Sequence, residues 1–243
     1  GIIPAGLEMM DKLATRAVED FVHAGYDLEA EAILLCEADG TPDEVAAEIA
    51  QVEAVLRRAG AKDIKLSDSE DERLRYWSGR KNAFPAVGRI SPDYYCMDGT
   101  IPRKALPQVL QKIEQLSKDY DLPCANVFHA GDGNLHPLIL FDASLPGALE
   151  KTERFGADIL SACVAVGGTI TGEHGVGKEK IDAMCEQFGH AELARFHDIK
   201  SAFDPLRLLN PDKAVPLLHR CAELGGMRMQ AALQQKHPTL PRF

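Results

Sequence analysis

Apolar residues recur at helical spacing through residues 6–24, with acidic residues between them, and this pattern predicts a helix. The compact apolar run AILLCEA at 32–38 predicts a strand. TPDEVAAEIAQVEAVLRRAG follows as a second helix: Thr41 is placed to cap it, Pro42 suits its first position, Glu44 completes a capping box and Gly60 ends it. AKDIKL (61–66) reads as a strand, SEDERLRYWSGRKNAF (69–84) as a helix, and PDYYCMDGTIP (92–102) as extended chain. ALPQVLQKIEQLSKDY (105–120) has the periodicity of an amphipathic helix. CANVFHA and LHPLILF then flank Gly-Asp-Gly-Asn, which is a hairpin pattern. A long helix is expected over 146–166, interrupted at GGTITGEHGVG, with further helical stretches at 176–187 and 190–202 before FDPLRLLNPDK and a polar tail.

Strands and helices alternate up to the hairpin, after which the chain turns helical. The expected class is α+β, an antiparallel or mixed sheet with helices on one face, followed by a C-terminal helical segment. With no internal repeat, low-complexity tract or Pro/Ser-rich linker, one unit is expected over 1–217 and a loosely held extension over 218–243.

The chain has 243 residues, of which 45% are hydrophobic, so it can bury a sizeable core. Its 27 Lys and Arg against 37 Asp and Glu leave a net charge of −10, which argues against a nucleic acid as partner. No apolar run approaches the roughly 20 residues of a membrane span, and no basic-then-apolar leader is present. The six cysteines (Cys36, Cys96, Cys124, Cys163, Cys185, Cys221) form no CxxC pair. They read as reduced, mostly buried thiols of an intracellular protein, which makes the expected location cytoplasmic. The opening GIIPAGLEMMDKL has no initiator Met, so a processed chain or a piece of a longer one is expected.

The candidate chemistry lies in two stretches. In NVFHAGDGNLHP (126–137), His129 and His136 flank a Gly-Asp-Gly-Asn turn. Residues seven apart on one strand point to opposite faces, but a hairpin lets the two imidazoles face each other with Cβ atoms about 5 Å apart. That separation suits two ligands of one metal ion, while chance partial burial in a hairpin explains the pair equally simply. Asp132 or Asn134 is placed to stabilise the turn. In GGTITGEHGVGKEK (167–180), Glu173 and His174 sit among glycines. Two imidazoles and a carboxylate leave coordination positions open for water or substrate, and His174 beside them suits a base. The bland alternative is a Gly-rich helix start with an exposed Glu-His pair. Gly172 to Lys178 also spells GxxxxGK, but Glu179 stands where a phosphate-binding loop needs Ser or Thr.

Taken in order, FHAGDGNLHP (128–137), GGTITGEHGVGK (167–178) and LRLLNPDK (206–213) resemble the C-terminal domain of FAD-linked oxidases. These are 2-hydroxy-acid oxidising flavoproteins related to vanillyl-alcohol oxidase, among them D-lactate dehydrogenases, D-2-hydroxyglutarate dehydrogenase and the flavin subunit of glycolate oxidase. The resemblance runs from about residue 5 to 217. It implies a ferredoxin-like cap over the substrate, with a divalent metal (zinc, manganese or iron) held by His129, His136 and Glu173. His174 is then the expected base. The family's Trp-x-x-Arg segment is matched by YWSGR, with Trp77 and Arg80 in place, and Arg80 becomes the expected clamp on a substrate carboxylate. Asn210 matches the Asn of the family's NP segment, near the flavin ring.

The implied partners are a small 2-hydroxy acid, an upstream FAD-binding domain absent from this chain, and other oxidase subunits or an electron-transfer partner through which any membrane association would run. The implied reaction passes hydride to FAD and belongs to the longer parent enzyme; the fragment alone is expected to be inactive. A non-catalytic module that assembles an electron-transfer complex, and a metal-dependent hydrolase, are the rival readings. Intact His129, His136, Glu173 and His174 speak against pure assembly, and the LLNPDK segment separates the leading reading from the hydrolase. His23, His190, His197, His219 and His237 lack partner spacing and read as surface or packing residues; Lys178 and Lys213 read as surface lysines, with contact to an anionic substrate or flavin phosphate as the alternative.

Overall fold

The structure is a computed structural model and describes residues 2–216. Its elements in order are β1 (Gly6–Asp11), α1 (Lys12–Val22), β2 (Ala32–Glu37), α2 (Pro42–Arg58), α3 (Glu70–Lys81), α4 (Ala83–Val87), β3 (Asp93–Cys96), β4 (Gly99–Thr100), a 3-10 turn (Arg103–Ala105), α5 (Leu106–Tyr120), β5 (Cys124–His129), β6 (Asn134–Phe141), α6 (Ala148–Ala165), α7 (Met184–Gln187) and α8 (His190–Phe203). The α+β class agrees with the sequence pattern, and every pairing in the sheet is antiparallel. The strand order is β2-β1-β5-β6-β3, with β4 also paired to β6. The expected extension over 218–243, His219 and His237 lie outside the described residues.

Helix α2 forms as its sequence dictates. Thr41 and Glu44 make a reciprocal capping box, and Pro42 occupies the first turn. The expected helix over 6–24 is in fact a strand followed by a helix. Residues 6–11 are held from both sides, by β2 and by β5, and those ladders override the helical spacing. Asp11 marks the switch: its side chain accepts the Ala14 amide at 2.9 Å and caps α1. Residues 61–66 form no strand; with β2 and α2 they line an apolar cavity of about 330 Å³. The stretch 176–187 is mostly a run of turns that ends in the single-turn α7.

Helices cover both faces of the sheet, where the pattern suggested one. All eight residues of β6 are buried, as a near-continuous apolar run such as LHPLILF requires of a strand covered on both sides. Alternation divides them. Leu135 and Ile139, with Phe128 of β5, pack toward Val109, Ile113 and Leu116 of α5 and Phe155, Ile159 and Leu160 of α6. Leu138 and Leu140, with Ala125, Val127 and Met10, pack toward Ala14, Ala17 and Val18 of α1 and Ala83, Ala86 and Val87 of α4. Cys36, Cys96, Cys124 and Cys163 are free thiols, whereas Cys185 is disulfide-bonded, which corrects the expectation that every cysteine is reduced. No helix among the described residues is long and apolar enough to cross a membrane.

Phe128 is fully buried on the central hairpin, so Phe128→Ala should destabilise the fold by about 3–5 kcal/mol, read as a lowered denaturant midpoint at unchanged m-value.

Candidate active site

The α1/α4 face of the sheet changes from apolar to polar along its length. Met10, Val127, Leu138 and Leu140 fill one part of it. The same alternation then presents Glu8 on β1, His129 on β5 and His136 on β6, because Glu8 lies opposite His129 and His136 lies opposite Val127. The hairpin register refines the sequence expectation. His129 pairs with Asn134, leaving Ala130–Gly133 as the loop, so the two histidines are diagonal neighbours rather than directly opposed. They still meet, with ring centroids 5.1 Å apart at 82°. The loop closes through the amides of Asp132 and Gly133, which donate to the His129 carbonyl at 3.1 and 3.0 Å. Gly133 has φ +75°, and a Cβ there would strike the Ile101 carbonyl.

Glu173 and His174 reach the histidines through β4. The glycine-rich segment is laid against that strand by paired bonds between Thr100 and Thr169 (3.1 and 2.8 Å) and by the Gly172 amide donating to the Asp98 carbonyl at 3.0 Å. Gly172 passes so close to Asn134 and Thr100 that any side chain there would collide with them. The result is a four-residue cluster centred on one oxygen. Glu173 Oε1 lies 2.9 Å from His136 Nε2, 3.7 Å from His129 Nε2 and 3.8 Å from His174 Nε2. The His174 ring stacks on His136 at 5.2 Å and 13°. An open cavity of about 310 Å³ borders the cluster, lined by Thr100, His129, Asp132, Asn134, Gly172 and Glu173.

His136 is the buried member, and neither of its ring nitrogens has a hydrogen-bond partner among the described residues. Its Nε2 is close to Glu173 but not in hydrogen-bonding geometry. Burial, with His129 beside it, pulls its pKa down to about 4 against the opposing pull of Glu173, so at neutral pH it is an uncharged imidazole. A buried, neutral, unpaired imidazole facing a carboxylate oxygen is the donor set a divalent ion takes. Ligand atoms of Asp98, His136, Glu173 and His174 also lie within 4.8 Å of one another. Asp98, however, is already saturated. It accepts from Thr171 Oγ1 (2.6 Å), the Glu173 amide (3.1 Å), the His174 amide (2.9 Å) and Lys180 Nζ (3.0 Å), which leaves His129 the better-placed third donor.

The pairing expected from the sequence, His129 with His136 and Glu173 with His174, is therefore brought together. Arg80 on α3 joins from the side. Its Nε and Nη2 both contact Glu8 Oε2 at 2.9 Å, and Glu8 Oε1 contacts His129 Nδ1 at 2.8 Å. Asn210 stands apart, exposed on the loop after α8 with φ +45°, its side-chain oxygen accepting from Lys213 at 3.5 Å. That loop is tied back to the glycine-rich segment by the Ala214 amide donating to the Gly177 carbonyl at 2.7 Å. Lys178 is exposed, as a surface lysine should be.

Three residues of the site carried no signal in the sequence. Glu8 reads as one acid in an apparent helix, Asp98 as one residue of an extended stretch, and Lys180 as one lysine of GKEK. Asp98 and Lys180 are in fact a buried ion pair. Burial pushes the Asp98 carboxyl up, but hydrogen bonds from Thr171, His174, Lys180 and Glu173 together outweigh it and hold it well below the usual carboxylate range.

Comparison with known proteins decides the family. Residues 1–214 match the family described as FAD linked oxidases, C-terminal domain. The chain belongs to this family. It is 60% identical over 243 residues to glycolate oxidase subunit GlcD of Escherichia coli (strain K12), covering all of this chain and 48% of that protein. It is 33% identical over 212 residues to glycolate oxidase subunit GlcD of Bacillus subtilis (strain 168), covering 87% of this chain and 45% of that protein. With the probable mitochondrial D-lactate dehydrogenase of Danio rerio it shares 28% over 221 residues, 89% of this chain and 44% of the other. This FAD-linked oxidase domain thus spans about half the length of the curated relatives it matches. Among solved structures, p-cresol methylhydroxylase with substrate bound superposes with a TM-score of 0.63 at 15% identity, covering 88% of this chain and 47% of that one. The 4-ethylphenol oxidase of Gulosibacter chungangensis in its isoeugenol complex also gives 0.63, at 12% identity over 86% and 47%. Those two likenesses establish the fold of the FAD-linked oxidase domain alone.

Removing the Asp98 charge leaves Lys180 buried and unpaired, so Asp98→Asn should cost about 3–5 kcal/mol in chemical denaturation. Because the folded-state pKa of Asp98 is depressed, its contribution is present above the ordinary carboxylate range and is lost as pH falls toward the folded value. The wild type should therefore lose more stability on acidification than Asp98→Asn does. Equal acid sensitivity would show that the pair contributes little.

Proposed function

We propose that this chain is the substrate- and metal-binding C-terminal domain of an FAD-dependent 2-hydroxy-acid dehydrogenase or oxidase of the glycolate or D-lactate type. In this reading His129, His136 and Glu173 hold a divalent ion, His174 is the base, Arg80 grips the substrate carboxylate and Asn210 faces the flavin. A separate N-terminal domain carries most of the FAD contacts. The observation that supports it best is His136, a buried imidazole held neutral with no hydrogen bond to either nitrogen, 2.9 Å from a carboxylate oxygen. Such a group is costly to bury unless something coordinates it. A pure assembly module would have no use for it.

The residues divide the work by charge and exposure. His174 is half-exposed beside the cluster, where its imidazole can take the hydroxyl proton of a 2-hydroxy acid. Arg80 gives two N–H groups to Glu8, and its remaining N–H groups suit a carboxylate. Phe84 packs against His136 with ring centroids 6.2 Å apart at 68°, which puts an apolar ring on that side of the buried imidazole. A divalent ion, when bound, lowers the pKa of the substrate hydroxyl and orients it. Flavin, when bound, supplies the hydride acceptor.

In the full-length protein, His136→Ala should lose the bound divalent ion by metal analysis, and an unchanged metal content would remove the ligand assignment. With glycolate or D-lactate and an artificial electron acceptor, His174→Ala should keep its metal and lose about 10²–10⁴-fold in turnover, and intact turnover would remove the base assignment.

A further inference from the structure

We propose that Glu8 is the positioning residue that commits His129 to coordination through Nε2, and that Arg80 in turn holds Glu8 in place for that task. The inference rests on the metal-site reading above. Glu8 sits on β1, between β2 and β5, directly across from His129. Its carboxylate is largely buried, with 15% of the side chain exposed, and its two oxygens are divided between two partners. Oε2 is taken by Nε and Nη2 of Arg80, both at 2.9 Å, which leaves Oε1 for His129 Nδ1 at 2.8 Å.

The consequence follows from donor and acceptor identities. A carboxylate accepts only, so the proton of the His129 ring resides on Nδ1. A neutral imidazole then carries its lone pair on Nε2, the nitrogen that faces Glu173 Oε1 at 3.7 Å. Without Glu8 nothing on β1 selects that tautomer or fixes the ring plane. The other tautomer would turn an N–H toward Glu173, and His129 would become a hydrogen-bond donor to the carboxylate instead of its fellow ligand. A carboxylate behind a ligating histidine also raises the basicity of the ring. Glu8 touches no reacting atom, so its effect is on the ligand and not on the chemistry.

Three measurements on the full-length protein test this: calorimetric titration with Zn²⁺, the His129 tautomer by ¹⁵N NMR of the metal-free protein, and the melting temperature. The wild type should show His129 protonated at Nδ1. Glu8→Ala should weaken Zn²⁺ binding about 10–100-fold and abolish the tautomer preference. Glu8→Gln, with one acceptor oxygen for the two donors Arg80 and His129, should erode the tautomer preference and weaken Zn²⁺ binding, both less than Glu8→Ala does. A folded Glu8→Ala with wild-type Zn²⁺ affinity would overturn the proposal while leaving the metal site standing, provided His136→Ala abolishes binding. If Glu8→Ala does not fold, the wild-type tautomer decides alone, and a proton on Nε2 overturns the proposal. Zn²⁺ titrating wild type and His136→Ala alike, or neither, sinks the metal reading and this inference with it.

Discussion

A carboxylate sealed from water must be surrounded by donors or give up its charge, and Asp98 is surrounded. Between β3 and β4 it collects the Thr171 hydroxyl, the amides of Glu173 and His174 and the Lys180 ammonium. Those bonds do more than offset burial. They anchor a segment of eleven consecutive positions, 167–177, that contains no helix or strand and would otherwise rest on the Thr100–Thr169 bridge and a few backbone bonds. The relative positions of Glu173 and His174 are set from behind, by an anion they never have to share with solvent. The polar end of the sheet supplies the two hairpin histidines, and Asp98 delivers the other half of the cluster to them.

What the sequence made legible is what is local. Capping boxes, amphipathic periods and the hairpin depend on residues within a few positions of one another, so α2, α5, β5 and β6 could be read directly. The histidines and Glu173 could be named because each lies in a short stretch that, taken in order with the others, resembles a known family; either stretch alone had an equally simple structural reading. Glu8, Asp98 and Lys180 were invisible for the opposite reason. Their roles exist only after β1 has paired with β5 and the glycine-rich segment has docked on β4, and nothing adjacent to them in the chain reports those events. The same blindness explains residues 6–11: their helical spacing is genuine, but two neighbouring strands outbid it. The two-sided burial of β6 was written in its uninterrupted apolar run.

The arrangement also shows how a single sheet face serves both stability and chemistry. Toward α1 and α4 the face is filled by Met10, Val127, Leu138 and Leu140, which pack the histidine-bearing strands against those helices. A few positions along the same strands, without a break in alternation, the side chains become Glu8, His129 and His136. The membership of the chain in the FAD-linked oxidases gives this polar end a setting, and Arg80 of α3 reaches it through Glu8.

The cluster draws on four distant parts of the chain: β1, the β5–β6 hairpin, the bend after β3 and the segment beyond α6. The hairpin can close early, because its strands are joined by a short loop. Glu173 and His174 lie beyond the long α6 and are held against the sheet by the bonds their own amides give to Asp98. The constellation therefore exists only when the whole domain has closed: a lesion that opens any one of those four parts, however far from the cluster in the sequence, takes the cluster apart.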